Sequence, residues 1–210
     1  MPITDKRLAR FKEVVSHRQM DLTVVLENIH DPHNIAAVIR TCDAIGIREI
    51  YGIVTDDMID IKNYRIGKRA SAGARKWIDF KIFTNLDDAI TQIRAKYTTI
   101  LGTHLSESAE SLYDLNLADS VALMFGNEHD GLSADALKHL DGNFIIPQYG
   151  MVQSLNISVA CAVSLYEACR QRITNGNYTD PTFAEEKQEL LDSYLAIHEE
   201  GYVRGRVDKK

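Results

Sequence analysis

Short apolar runs and segments of helical spacing alternate along most of this 210-residue chain, and that alternation leaves few architectures open. Strand-like runs fall at residues 22–26, 49–54, 77–83, 99–104, 121–125 and 144–146. Helical patterns lie between them, at 33–44, 86–97, 133–140 and 156–170. Asp31-Pro32 predicts an N-cap followed by Pro at the first helical position, and Gly46 predicts the stop. Strands joined by helical crossovers run parallel, because the helix returns the chain to the end of the sheet where it started. The expectation is therefore an α/β fold, a mostly parallel sheet flanked by helices. Residues 1–20 read as a basic helical extension with Leu8, Phe11, Val14 and Val15 on one side. Residues 21–175 form the main domain, and 176–210 a polar, partly helical extension suited to RNA or partner contact.

Composition excludes several classes. No apolar run is long enough to span a membrane, so no membrane partner is expected. The early charges Asp5, Lys6, Arg7, Arg10, Lys12 and Glu13 leave no room for a signal-peptide core, so a cytoplasmic protein is expected. Cys42, Cys161 and Cys169 lack metal or redox spacing and sit in apolar helical patterns, which predicts reduced thiols and no metal. The net charge of −6 conceals local basic segments. Lys62, Arg65, Lys68, Arg69, Arg75 and Lys76 fall together without an acidic residue among them. The N-terminal segment adds Lys6, Arg7, Arg10, Lys12 and Arg18, and the last ten residues add Arg204, Arg206, Lys209 and Lys210. Local patches decide phosphate binding, so RNA or another polyanion is the expected partner. Phosphate-loop, dinucleotide, zinc-protease and nucleophile-elbow motifs are all missing.

Three segments carry polar groups where chemistry can be built. In Asn34-Ile35-Ala36-Ala37-Val38-Ile39-Arg40, two polar residues bracket an apolar turn and a half at a helix N-terminus. The pattern around Arg40 suits burial, which would require an anion, a carboxylate or a backbone carbonyl as its partner; a bridge between elements is the alternative role. In the segment from Phe125 to Ser133, a buried strand ends at Gly126, Glu128 follows, and Gly131 precedes a Ser-capped helix. Loops beyond the carboxyl ends of parallel strands are where α/β sheets hold ligands. In Ile145-Ile146-Pro147-Gln148-Tyr149-Gly150-Met151-Val152-Gln153-Ser154-Leu155-Asn156, a strand breaks at Pro147 and a helix begins near Ser154 and Asn156. That helix is apolar on all sides, which predicts burial.

Together the three segments resemble the motifs of the SpoU/TrmH branch of the SPOUT RNA methyltransferases: an N…R motif, a strand ending in G-x-E before G-L-S, and I-P-x-x-G-M-V-x-S-L-N-x-S. The resemblance runs in unbroken order over about residues 5–180. It implies a deep C-terminal trefoil knot, a homodimer, and S-adenosylmethionine as cofactor. It further implies methyl transfer to a ribose 2′-hydroxyl of tRNA, with the D-loop guanosine (Gm18) the best match. Another tRNA position, rRNA, or a non-catalytic RNA-binding or assembly role are the alternatives. By motif, the resemblance places Arg40, Asn34, Glu128, Ser154 and Asn156 in the catalytic neighbourhood. It puts cofactor contacts around Thr103, Gly126, Ile146, Met151 and Leu155. Arg7, Arg10, Arg18, Lys68, Arg69, Arg170 and Arg172 become the expected RNA-binding residues. Departures from the pattern fall at Asp31, at 56–74 and after Tyr178.

Overall fold

The computed structural model describes residues 3–64, 71, 73–179 and 184–207. Seven strands form one parallel sheet in the order β3-β2-β1-β6-β4-β7-β5. They are β1 (Leu22–Glu27), β2 (Glu49–Ile53), β3 (Asp79–Phe83), β4 (Thr99–Thr103), β5 (Glu110–Ser111), β6 (Val121–Phe125) and β7 (Gly142–Ile145). The helices are α1 (Asp5–Ser16), α2 (Pro32–Ile45), α3 (Leu86–Arg94), α4 (Ala134–Leu137), α5 (Ile157–Thr174) and α6 (Ala184–Val207). The two-residue β5 had no sequence signal, since so short a run has no measurable period. α4 stops at Leu137, one turn long, where the pattern predicts a helix to 140.

Alternation along the strands sends side chains to both faces of the sheet. Val24 and Leu26 enter the core beneath α2 and α5, packing with Ile35, Val38, Ile39, Cys42, Cys161 and Leu165. Val25, Tyr51 and Ile53 enter the opposite core with Ala89, Ile90 and Ile93 of α3 and Ala136 of α4. Burial on both faces explains why β1, β2 and β6 read as continuous apolar runs. Asp31 caps α2 by accepting from His33 N at 2.8 Å, Pro32 follows, and Gly46 ends the helix with a φ of +92°. Those boundaries agree with the sequence reading.

Two elements differ from expectation. α5 is buried only on the side facing the sheet; Val159, Tyr166 and Ile173, seven residues apart, are 46, 57 and 63% exposed. One sheet covers one helix face, so an apolar helix on the outer layer keeps an uncovered stripe. The terminal segments, in turn, pack on each other. Phe11 and Val15 of α1 are buried with Leu190 and Tyr194 of α6, and Trp77 stacks into the same cluster.

At the amino edge of the sheet, the buried Glu49 carboxylate accepts from Lys81 Nζ (2.7 Å), Lys96 Nζ (2.8 Å) and Tyr51 OH (2.6 Å). Burial raises its pKa, but hydrogen bonds from Lys81, Lys96 and Tyr51 outweigh that and hold it at about 2, below the ordinary 4.5. A carboxylate depressed on folding contributes stability above its unfolded pKa and loses it as pH falls towards the folded value. Between pH 6 and pH 3 the protein should lose about 2 kcal/mol through this group. Urea unfolding at the two pH values should show that loss in the native protein and its disappearance in Glu49→Gln. An equal slope in both would remove the role given to Glu49.

Candidate active site

The carboxyl ends of β1, β6, β4 and β7 lie side by side, and the three polar segments meet there. β6 ends at Phe125, and the chain doubles back through a tight turn. Asn127 and Gly131 exchange backbone hydrogen bonds at 3.1 Å. The Asn127 side-chain oxygen accepts from His129 N (2.8 Å) and Asp130 N (2.7 Å), and Gly131 takes a φ of +70°. A Cβ on Gly126 would lie 2.0 Å from the Gly131 carbonyl carbon, so only glycine fits. Gly126→Ala should therefore cost at least ~2 kcal/mol, because backbone and not a mobile side chain is in the way. Gly150→Ala, where a Cβ meets nothing within 4 Å, should stay within ~0.5 kcal/mol. Thermal melts of the two variants compare them directly, and equal midpoints would refute the steric account.

The turn presents Glu128. Its Oε1 accepts from Asn34 Nδ2 at 2.5 Å, and Asn34 Oδ1 accepts from Asn156 Nδ2 at 3.1 Å. A carboxylate only accepts, so Asn34 must turn its amide N–H₂ to Glu128 and its oxygen to Asn156. Asn156 Oδ1 in turn accepts from Ser158 N (2.9 Å) and Ser158 Oγ (2.6 Å), which makes Asn156 the N-cap of α5. One residue from each motif thus joins a single hydrogen-bonded chain. Asn156 takes the capping role that Ser suggested by type; Ser154 is exposed and makes no hydrogen bond among the described residues.

Glu27, at the end of β1, was not singled out in the sequence. It is buried and accepts from Ser133 N (2.9 Å) and Ser133 Oγ (2.6 Å), while Ser133 Oγ accepts from Ala136 N (3.1 Å) to cap α4. Its signal was a lone carboxylate closing an apolar strand. It ties the loop bearing Glu128 to the strand that leads into α2.

Arg40 departs from the burial expected of it. α2 turns it to solvent, where it makes no hydrogen bond or ion pair among the described residues. Six residues beyond Asn34, it lies a turn and a half along the helix, and does not join the Glu128–Asn34–Asn156 chain. It lines a cleft of about 260 Å³ with Asp43, Ser71, Gly73, Lys76 and Trp77. Lys76 is exposed and also unpaired among the described residues.

The residues expected to hold a cofactor follow the strand ends. Thr103 closes β4, Gly126 follows β6 and Ile146 follows β7, with β4 lying between the other two. Met151 and Leu155 sit on the connection from β7 to α5; the Met151 side chain is exposed and that of Leu155 half-buried. From Gln148 to Leu155 no backbone group makes a hydrogen bond among the described residues. Gln148 Oε1 is buried there without a partner. A segment with so many unused donors and acceptors suits the polar edges of a nucleoside.

The basic residues divide into two groups. Arg7 and Arg10 are exposed on α1, and Arg170 is exposed on α5, where it pairs with Glu167 at 2.7 Å. Lys68 and Arg69 lie outside the described residues. Arg18 and Arg172 are corrections, because both side chains are buried and cannot meet RNA phosphates. Arg18 donates to Asp43 Oδ1 (2.6 Å), Ile47 O (2.8 Å) and Tyr194 OH (3.1 Å). Arg172 donates to Asp21 Oδ1 (2.6 Å), Asp119 O (2.6 Å), Leu117 O (3.0 Å) and Gln19 Oε1 (3.0 Å). Charge along a sequence does not reveal which guanidinium groups are already satisfied inside. Cys42 and Cys161 are buried and Cys169 half-buried, all as free thiols.

A parallel sheet with a polar cluster at its carboxyl ends defines an α/β protein that takes its ligand there. The chain belongs to the SpoU rRNA methylase family, which it matches over residues 21–166. It is 39% identical over 193 residues to the tRNA (guanosine(18)-2′-O)-methyltransferase of Thermus thermophilus, covering 91% of this chain and 97% of that protein. The TrmH/SpoU tRNA-modifying enzyme of A. aeolicus superposes with a TM-score of 0.79 at 33% identity, covering 91% of this chain and 97% of the other. The SpoU methyltransferase AviRb of Streptomyces viridochromogenes, in complex with AdoMet, gives 0.64 at 27% identity over 75% of this chain and 62% of that one. No helix among the described residues is long and apolar enough to cross a membrane.

Proposed function

We propose that this chain transfers a methyl group from S-adenosylmethionine to the 2′-hydroxyl of a tRNA ribose, and that its target is guanosine 18 of the D-loop. The observation that carries this reading is the hydrogen-bonded chain Glu128–Asn34–Asn156, one residue from each motif, at the carboxyl ends of the sheet. The high coverage of the Thermus enzyme supports the tRNA substrate.

S-adenosylmethionine, when bound, supplies a methyl on a sulfonium, already activated for displacement. The residues that would hold it are the strand ends at Thr103, Gly126 and Ile146 and the connection through Met151 and Leu155, where the unpaired Gln148 Oε1 provides an acceptor. The protein supplies alignment and charge. The ribose 2′-hydroxyl, as the methyl acceptor, would release its proton to water. A guanidinium is so weak an acid that it does not serve as a general base at neutral pH, so Arg40 acts through its charge. Its role is to hold the adjacent phosphate and stabilise negative charge growing on the 2′-oxygen. Glu128, Asn34 and Asn156 fix the wall against which the ribose lies, and Ser154 completes it.

The exposed stripe Val159, Tyr166 and Ile173 supports a homodimer, since an uncovered apolar face of this kind suits a second copy. The same reading includes the C-terminal trefoil knot and a cytoplasmic location. RNA contacts fall to Arg7 and Arg10 on α1, to Arg170, and to the basic stretch that includes Lys68 and Arg69. Incubation with bulk tRNA and methyl-labelled cofactor, followed by mapping, tests the whole reading. Label on the 2′-oxygen of guanosine 18 is expected. Label on another ribose would overturn the position, label on a base the ribose acceptor, and no label the tRNA substrate.

A further inference from the structure

Beneath the Arg40 cleft lies a charge arrangement that helix geometry alone would not produce. Arg40 and Asp43 are three residues apart on α2 and line the same cleft. Opposite charges at that spacing pair readily on a helix surface. Yet Asp43 does not pair with Arg40. Its Oδ1 accepts from Arg18 Nη2 at 2.6 Å, and the Arg18 side chain is wholly buried while that of Asp43 is 30% exposed. Arg18 is itself held from three further directions. Nη1 donates to Ile47 O at 2.8 Å, Nη2 approaches Trp77 O at 3.4 Å, and Nε donates to Tyr194 OH at 3.1 Å. Tyr194, on α6, donates its hydroxyl to Trp77 O at 2.8 Å and packs its ring 4.8 Å from that of Trp77.

We infer that Arg18, locked by Tyr194 of the C-terminal helix, is a positioning residue that occupies Asp43 and so keeps Arg40 and Lys76 unpaired for RNA phosphate. The cleft would otherwise hold its own counter-ion. A buried guanidinium with several fixed acceptors competes better for a carboxylate than an exposed one, because it has no water to return to. α6 acquires a function by this route without touching RNA: through Tyr194 it fixes the cation that removes the negative charge from the cleft. The inference rests on the phosphate-binding role proposed for Arg40.

The test measures tRNA affinity as a function of salt for the full-length protein. In Arg18→Met the freed Asp43 should turn to Arg40 or Lys76. Affinity should fall ~10-fold, and the slope of log affinity against log salt should flatten by about one phosphate contact. Arg18→Met combined with Asp43→Asn should restore both quantities to near the native values, although the tether between the segment after α1 and α2 is still missing. A purely structural role for Arg18 predicts no such rescue. Arg18→Gln, which keeps a donor in place, serves where Arg18→Met does not fold. Native affinity and slope in the single variant, or a double variant as weak as the single, would overturn the inference. Arg40→Ala separates it from the reading beneath: a native salt slope there would sink the role of Arg40 itself, whereas a flattened slope without rescue sinks only the Arg18–Asp43 device.

Discussion

Arg40→Ala should lower kcat/KM for tRNA methylation by about 10²- to 10³-fold while moving the melting midpoint by no more than ~1 °C. The two halves of that expectation come from one observation. Arg40 is exposed and makes no side-chain hydrogen bond or ion pair among the described residues, so none of them relies on it for a polar contact. A cation left unpaired at a cleft contributes nothing to stability and is free to meet charge that arrives with the substrate. Loss of a preorganised charge at a developing oxyanion typically costs two to three powers of ten in rate. Arg40→Lys keeps the charge but loses the planar fork, so it should recover only part of the activity. The check is steady-state methylation across a range of tRNA concentrations beside a calorimetric melt. Native turnover in Arg40→Ala would end the catalytic assignment. A large drop in midpoint would show that the side chain has a structural partner.

Arg172→Met should do the reverse, lowering the midpoint by roughly 10 °C through a loss on the order of 3–5 kcal/mol. Arg172 is buried near the end of α5 and ties that helix to the segment before β1 and to the loop before β6. Removing it leaves the partly buried Asp21 carboxylate without its ion pair and several carbonyls without donors, and unsatisfied buried groups are what make such losses large. Arg170→Ala, two residues earlier but exposed, should leave the midpoint essentially unchanged. Denaturant unfolding of the two variants gives the comparison. Similar stabilities would contradict the structural role assigned to Arg172. Basic residues two positions apart on one helix have opposite fates because a helix turns by about 100° per residue.

The strand and helix sequence was legible because each carries its own period. β6 was placed to the residue at 121–125, and the start of α2 followed from Asp31-Pro32. The polar segments at Asn34, Glu128 and Asn156 were legible as candidates, since Gly and carboxylate after a buried strand mark the end where ligands bind. Their mutual contact was not, because 94 residues separate Asn34 from Glu128 and 122 separate it from Asn156. Arg40 read as a buried residue, since its apolar neighbours set the local pattern. Arg18 and Arg172 read as RNA-binding cations, because a linear charge count carries no information about depth. Glu27 went unnoticed, since the value of one carboxylate at a strand end depends on Ser133, 106 residues away.

By itself, then, the order of residues determined the α/β class, the parallel sheet and the location of the reactive loops, all of which rest on local periodicity and on caps formed within a few residues. The tertiary structure decided which of the charged groups are available. It buried Arg18 and Arg172 among acceptors from distant segments, left Arg40 and Lys76 open at a cleft, and joined three separate motifs through Asn34. The reason is physical. Helix and strand periods follow from backbone geometry over a few residues, whereas the environment of a charge is set by whatever the rest of the chain brings against it.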